Sequence, residues 1–252
     1  GTIIGMDAVA KAAPDGYTLL FAPTPFVITQ ALYPKLPYDA VKEFAPVSLL
    51  AVSPFILVVN DALPAGDLRE LVALAKAKPG VLTFCSAGSG SVPHMAGELF
   101  KRNAGVDIVH VPYKGGGPAM TDLIGGQVNM MFATPIEVMQ HVQSGKLRVL
   151  ATTASQRLPS LPDVPTVRES GVPQFEVYAF FGMLAPAGTP AGIVDRLAKE
   201  LAQVMKDPEV LQRFADQSAE PRVLGPAAFT AFLQSERVKW ADVVARSGAK
   251  LD

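Results

Sequence analysis

The chain has 252 residues, of which 49% are hydrophobic and 18% charged, against about a quarter charged in ordinary domains. It is long enough for one large α/β domain or two smaller ones, and too apolar for disorder. The net charge is −1 with Lys and Arg scattered along the chain, so there is no basic stripe and nucleic acid is excluded as a partner. A single cysteine, Cys85, and well-separated histidines argue against a disulfide framework and against a zinc site, so neither metal nor cofactor is expected.

In chain order, Asp7 to Ala13 reads as a short helix closed by Pro14-Asp15-Gly16, a strong turn signal. Tyr17 to Ala22 reads as a buried strand running into Pro23-Thr24-Pro25, where two prolines should stop helix and ladder alike. Pro46 to Asn60 holds two apolar runs around Ser53. Asp67 to Ala77 has helical spacing and ends at Pro79-Gly80. From Val81 to Phe132 the pattern is a strand, a Gly/Ser turn and a helix, then a strand, a triple-glycine turn and a helix. The run Asn129 to Phe132 is most simply a buried strand.

Thr134-Pro135-Ile136-Glu137 fits a capping box, with Gly145 placed to end the helix. Leu147 to Thr152 is another buried strand. Thr189-Pro190 opens a long helix with Val194, Leu197, Leu201 and Val204 on one face. Pro226 to Arg246 is a second, with Phe229, Leu233, Trp240 and Val243 inward and Glu236 interrupting the stripe, which predicts a less buried middle turn. Val177 to Val194 is uncharged but contains three Gly and two Pro, which argues against a membrane span. Alternating strands and helices give an α/β fold with mostly parallel sheets. Pro54 to Asn60 and Val177 to Ala185 read as strands crossing between two lobes.

The two glycine turns carry the functional argument. Each delivers backbone N–H groups, free of bulky side chains, to the start of a helix, where unsatisfied donors and a partial positive charge suit an anion. Ala87-Gly88-Ser89-Gly90-Ser91 matches neither a nucleophile elbow nor a dinucleotide fingerprint. Its reading is that Ser89, Ser91 and the local amides hold a carboxylate; the plainer alternative is a helix capped by Ser91. Tyr113-Lys114-Gly115-Gly116-Gly117-Pro118 lacks the ending of a phosphate loop, yet three glycines cost more chain entropy than a helix start needs. Gly125-Gly126 would stop the helix that follows. Lys114 would add charge there. His94 reads as a polar histidine on the helix surface or cleft edge, sharing a face with Gly97, Glu98 and Lys101. As a base for Ser91 it lacks an orienting carboxylate. Cys85 reads as a small buried residue rather than a reactive thiol. The Tyr178-Ala179-Phe180-Phe181 cluster suits either a cleft wall or core.

PDGYTLL (Pro14 to Leu20), GSGSVPHMAGELF (Gly88 to Phe100), VPYKGGGPAMTDLIGGQV (Val111 to Val128), SGKLRVLA (Ser144 to Ala151) and LAPAGTP (Leu184 to Pro190) follow one another across nearly the whole chain. Together they resemble the Bug-type, or tripartite tricarboxylate transporter, substrate-binding family of bacterial extracytoplasmic receptors. The resemblance implies a two-lobed periplasmic-binding-protein fold of type II character that closes a cleft on a small carboxylate. It also implies a monomer in the periplasm that delivers its ligand to membrane transporter subunits and has no catalytic residues. The lobes implied are 1–57 with 182–252, and 58–181, with a further strand, Pro/Gly-rich loop and helix expected ahead of Gly1. The expected ligand contacts are Pro23 and Thr24 in the turn after the second family strand, then Ser86, Gly88, Ser89, Gly90 and Ser91. Lys114, Gly115, Gly116, Gly117, Thr134 and Phe180 complete the set. Two other functions stay open on the residues alone: an α/β enzyme using Ser91 and His94, or Cys85, and a ligand-presenting sensory module.

Overall fold

Runs that are apolar on both faces belong to strands covered on both sides, and Val47 to Val59 is such a run, buried throughout. The chain passes along it from one folding unit into another. In the computed structural model, which describes residues 2–33 and 35–247, the units are Gly1–Ser53 with Ala179–Asp252, and Pro54–Tyr178.

The first unit begins with α1 (Thr2–Ala10), β1 (Leu20–Pro23), α2 (Pro25–Leu32) and β2 (Phe44–Pro54). The second holds β3 (Ile56–Asn60), α3 (Leu68–Ala77), β4 (Thr83–Ser86), α4 (Val92–Ala104) and β5 (Val109–Pro112). It continues with α5 (Gly116–Ile124), β6 (Met130–Ala133), α6 (Pro135–Gln143) and β7 (Leu147–Thr152). β8 (Tyr178–Pro186) returns the chain to the first unit, followed by α7 (Ala191–Val204), α8 (Pro208–Asp216), β9 (Glu220–Leu224) and α9 (Pro226–Ser247).

Helix ends are set by local chemistry. Asp67 caps α3 by accepting from the Glu70 N–H at 2.8 Å, and the Glu70 carboxylate accepts from the Gly66 N–H. α5 ends at Gly125-Gly126, where Gly126 has φ +72° and Gln127 N–H reaches back to Asp122 O at 2.9 Å. Asn60, at the end of β3, donates to the last α5 carbonyls, Leu123 O and Ile124 O. Gly145 ends α6 in the same left-handed way, and Glu137 closes the capping box on Thr134.

The second unit's sheet has the order β5-β4-β6-β3-β7. β4 runs parallel to β5 and β6, while β3 is antiparallel to both β6 and β7. Four strands therefore share one direction and β3 alone is reversed. In the first unit the order is β1-β8-β2-β9, with β1 antiparallel to β8 and β2 antiparallel to β9. The α/β class stands, but the sheets are mixed rather than mostly parallel. Helical crossovers produce parallel neighbours, whereas β3 and β8 enter their sheets directly from the other unit.

Several local expectations are corrected. α1 lies at Thr2–Ala10 rather than 7–13, and the strand after it starts at Leu20, because Asp15 Oδ1 accepts from Tyr17 N–H in a turn and leaves Tyr17 exposed. Pro25 does not stop a helix but starts one, at the first position where its missing N–H costs nothing. Val204 is exposed, off the buried face of α7. Glu236 is largely buried, since its carboxylate accepts from the indole N–H of the fully buried Trp240. α8 and β9 have no counterpart in the sequence reading.

Candidate functional site

β4, β5 and β6 are linked through parallel pairing with β4, so their carboxyl ends lie on one edge of the second unit's sheet. The turn Ser86–Ser91 leaves β4, the turn Tyr113–Gly115 leaves β5, and Thr134 leaves β6; each leads into a helix. Open α/β sheets bind ligands beyond such strand ends. The first two turns touch. Tyr113 N–H donates to Ser86 O at 3.1 Å, and a Cβ on Gly88 would lie 3.3 Å from Tyr113 O.

The first turn depends on backbone forms that L side chains rarely adopt: Gly88 has φ +136° and Gly90 φ +79°. Much of its hydrogen bonding is internal. Ser86 Oγ donates to Gly88 O at 3.0 Å, accepts from Gly88 N–H at 3.2 Å, and lies 2.7 Å from His110 Nε2. Gly90 N–H donates to His94 Nδ1 at 3.0 Å, and Ser91 N–H to Gly88 O at 3.2 Å. Ser91 is the N-cap of α4, its hydroxyl accepting from His94 N–H at 3.4 Å. Among the described residues, the N–H groups of Ser89 and Val92 have no such partner. Ser89 is exposed, so its N–H is an available donor; Val92 is buried, with its N–H left unpaired at the start of the helix.

In the second turn, Gly115 at φ +123° precedes α5 and holds the backbone form that demands glycine. Gly116 and Gly117 have no positive φ; a Cβ on Gly116 would meet Glu137 Oε1 at 3.7 Å, and one on Gly117 nothing. Tyr113 donates its hydroxyl to Asp122 Oδ2 at 2.7 Å, tying the turn to α5, and that bond pushes the phenol up to about 12. Lys114 is exposed beside these glycines. At the third strand end, Glu137 Oε2 accepts from both the amide and the hydroxyl of Thr134.

Pro23, Thr24 and Phe180 come together within the first unit. Pro23 pairs with Phe181 in the β1–β8 register, and Thr24 Oγ1 accepts from Phe180 N–H at 2.7 Å. Thr24 is buried, and the Phe180 ring packs edge-on to Phe232 at 5.3 Å. Its neighbour Phe181 stays half-buried and stacks on Phe21.

His94 is not a surface histidine. It is buried, lies face to face with His110 (centroids 3.7 Å, 9°), and its Nε2 is 3.9 Å from Glu98 Oε1. Burial pushes His94 down to about 3, aided by His110 and then Lys101, and pushes His110 down to about 4, aided by Lys101, so both are neutral. Glu98 is buried too, and burial pushes its carboxyl up. Cys85 is buried with its thiol raised to about 12, far from nucleophilic. Sequence reasoning missed His110. The signal was the β4–β5 register, which sets Phe84 opposite His110 and becomes readable only once the strands are paired.

The chain matches the tripartite tricarboxylate transporter family receptor over residues 1–249. It is 38% identical to protein BugT of Bordetella pertussis, over 100% of this chain and 78% of BugT. Among solved structures it is similar to an R. palustris protein with adipate (TM-score 0.84, 32% identity, 99% of this chain and 84% of that one). It is likewise similar to MatC of Rhodopseudomonas palustris with bound malate (TM-score 0.77, 35% identity, 96% and 84%) and to periplasmic binding protein BugD (TM-score 0.80, 34% identity, 99% and 84%). The chain belongs to the tripartite tricarboxylate transporter receptor family and is a solute-binding receptor of the Bug type.

Proposed function

We propose that this protein captures a small carboxylate in the periplasm, as a monomer without catalytic activity, and passes it to the membrane subunits of a tripartite tricarboxylate-type transporter. The observation that carries the carboxylate is the strand-end edge of the second unit, where three helix starts and Lys114 collect. The N–H groups of Ser89 and Val92 point to its donors, with Gly116 and Gly117 allowing close backbone approach. Thr134 contributes from the start of α6. Relatives with adipate and with malate support a dicarboxylate. Among the described residues no helix is long and apolar enough to cross a membrane.

The enzymatic alternative loses ground on geometry. His94 Nδ1 is occupied by the Gly90 amide rather than by the Ser91 hydroxyl, and Cys85 is buried as a thiol. Calorimetry with a panel of mono-, di- and tricarboxylates, followed by recovery of the acid, tests the proposal. Saturable one-to-one binding with the acid returned unchanged is expected. Silence across the panel would sink the carboxylate, and conversion of the acid would sink the receptor.

A further inference from the structure

The two imidazoles beneath the first glycine turn have no part in the function proposed above, yet each holds one end of that turn. His94 sits in the first turn of α4 and His110 in the middle of β5. Phe84 of β4 packs on both rings, with centroids 4.9 Å from His110 and 6.4 Å from His94. Gly97, one turn further along α4, keeps that space open, because a Cβ there would overlap the Phe84 ring.

The hydrogen-bond network assigns the tautomers. A ring nitrogen that accepts a backbone N–H carries no proton, so His94, accepting from Gly90 at Nδ1, is the Nε2–H form. The Ser86 hydroxyl hydrogen goes to Gly88 O, so the short contact to His110 is an Nε2–H donating to Ser86 Oγ. One imidazole therefore accepts from the turn and the other donates to it. The first holds Gly90, next to the helix cap, and the second holds Ser86, where the strand ends. The charged groups around the stack are Glu98 and Lys101 on α4, joined at 3.2 Å, and Glu98 Oε1 lies 3.9 Å from His94 Nε2.

We propose that His94 and His110 are a stacked pair of positioning residues that sets the Ser86–Ser91 turn, and so aims its unpartnered N–H groups at the bound anion. The aiming rests on the carboxylate reading; the setting of the turn does not. His94 must stay neutral for this, because it alone offers the turn an acceptor. Protonation of His94 Nδ1 would put a donor against the Gly90 N–H and break the contact.

The test is NMR on the ¹⁵N-labelled full chain. In the wild type, imidazole shifts should report the Nε2–H tautomer at both histidines; a proton on Nδ1 of His94 at neutral pH overturns the proposal without any variant. His94→Phe keeps a stacking ring but removes the acceptor, and Gly90 amide exchange should rise about tenfold. Amides of Leu57 and Val58 in β3 should not change. His94→Asn restores an acceptor at the δ position and should restore protection. Unchanged Gly90 exchange in His94→Phe, an equal rise throughout the sheet, or no rescue by Asn each overturns the pair. With whichever panel acid the wild type binds, affinity should fall in His94→Phe and recover in His94→Asn. If the wild type binds none, the carboxylate reading fails, while Gly90 exchange still decides the role of the pair.

Discussion

Trp240 donates its indole N–H to the Glu236 carboxylate, 3.0 Å away and one turn back along α9. The ring is completely buried, and the same carboxylate pairs with Lys239 at 2.5 Å. Removing the acceptor leaves a buried donor unsatisfied, which costs about 1–3 kcal/mol. Glu236→Leu should therefore lower the unfolding free energy measured in urea by that amount, whereas Glu236→Gln, which keeps a carbonyl oxygen, should lose less. Equal losses in the two variants would mean that the indole bond contributes nothing of its own.

The glycines of the second turn should separate by function. Gly115 occupies φ +123°, so a side chain there is strained by about 1–3 kcal/mol. Gly116 has no such φ and has room for a Cβ. Gly115→Ala is expected to shift thermal unfolding downward. Gly116→Val should leave unfolding nearly unchanged yet weaken carboxylate binding in calorimetry, because its branched side chain stands where the ligand approaches. Wild-type affinity in Gly116→Val would remove this turn from the binding surface.

Ser91 caps α4 through a long 3.4 Å contact, so Ser91→Ala should cost about 0.5–1 kcal/mol, the lower part of the usual range. It should also weaken ligand binding. No turnover should disappear with it, since none is expected; a hydrolytic or transfer activity abolished in Ser91→Ala or His94→Ala, with the fold intact, would reverse the receptor assignment.

The buried histidines predict acid sensitivity with a definite sign. Native His94 and His110 titrate at about 3 and about 4, below the ordinary 6.5 that they recover on unfolding. Between those values the unfolded chain binds more protons, so stability falls as pH drops below about 6.5 and the loss levels off near the native values. Each histidine contributes at most about 1.4 kcal/mol per pH unit. Glu98, its carboxyl raised by burial, works in the opposite direction, so the comparison must be made between proteins. Urea midpoints measured from neutral pH down to about pH 4 should fall less steeply in His94→Asn/His110→Gln than in the wild type. Parallel curves would show that neither ring is held neutral.

Local chemistry was the legible part of the sequence. Asp67, Ser91 and Thr134 cap the helices that their spacing announced, and Gly125-Gly126 and Gly145 end theirs. The two glycine turns were found because glycine at positive φ is a property of the residue itself. What escaped depends on pairing at a distance. Thr24 was legible as part of the turn after β1, but not the bond its oxygen accepts from Phe180, remote in sequence. His94 looked like a surface residue because its α4 neighbours include Glu98 and Lys101; what buries its ring is Phe84 and His110 on other strands. β9 was invisible for the opposite reason: four of its five residues are exposed, and it has no alternation to read.

β3 is the first strand of its unit to leave the ribosome and among the last to be flanked. Its two neighbours are β6 and β7, whereas β4 and β5 pair with each other. A nascent chain that has not reached Met130 carries Ile56-Leu57-Val58-Val59 with both edges open. Synthesis of this unit therefore includes an interval in which its most apolar strand has neither neighbour to pair with, the condition under which open strand edges invite aggregation.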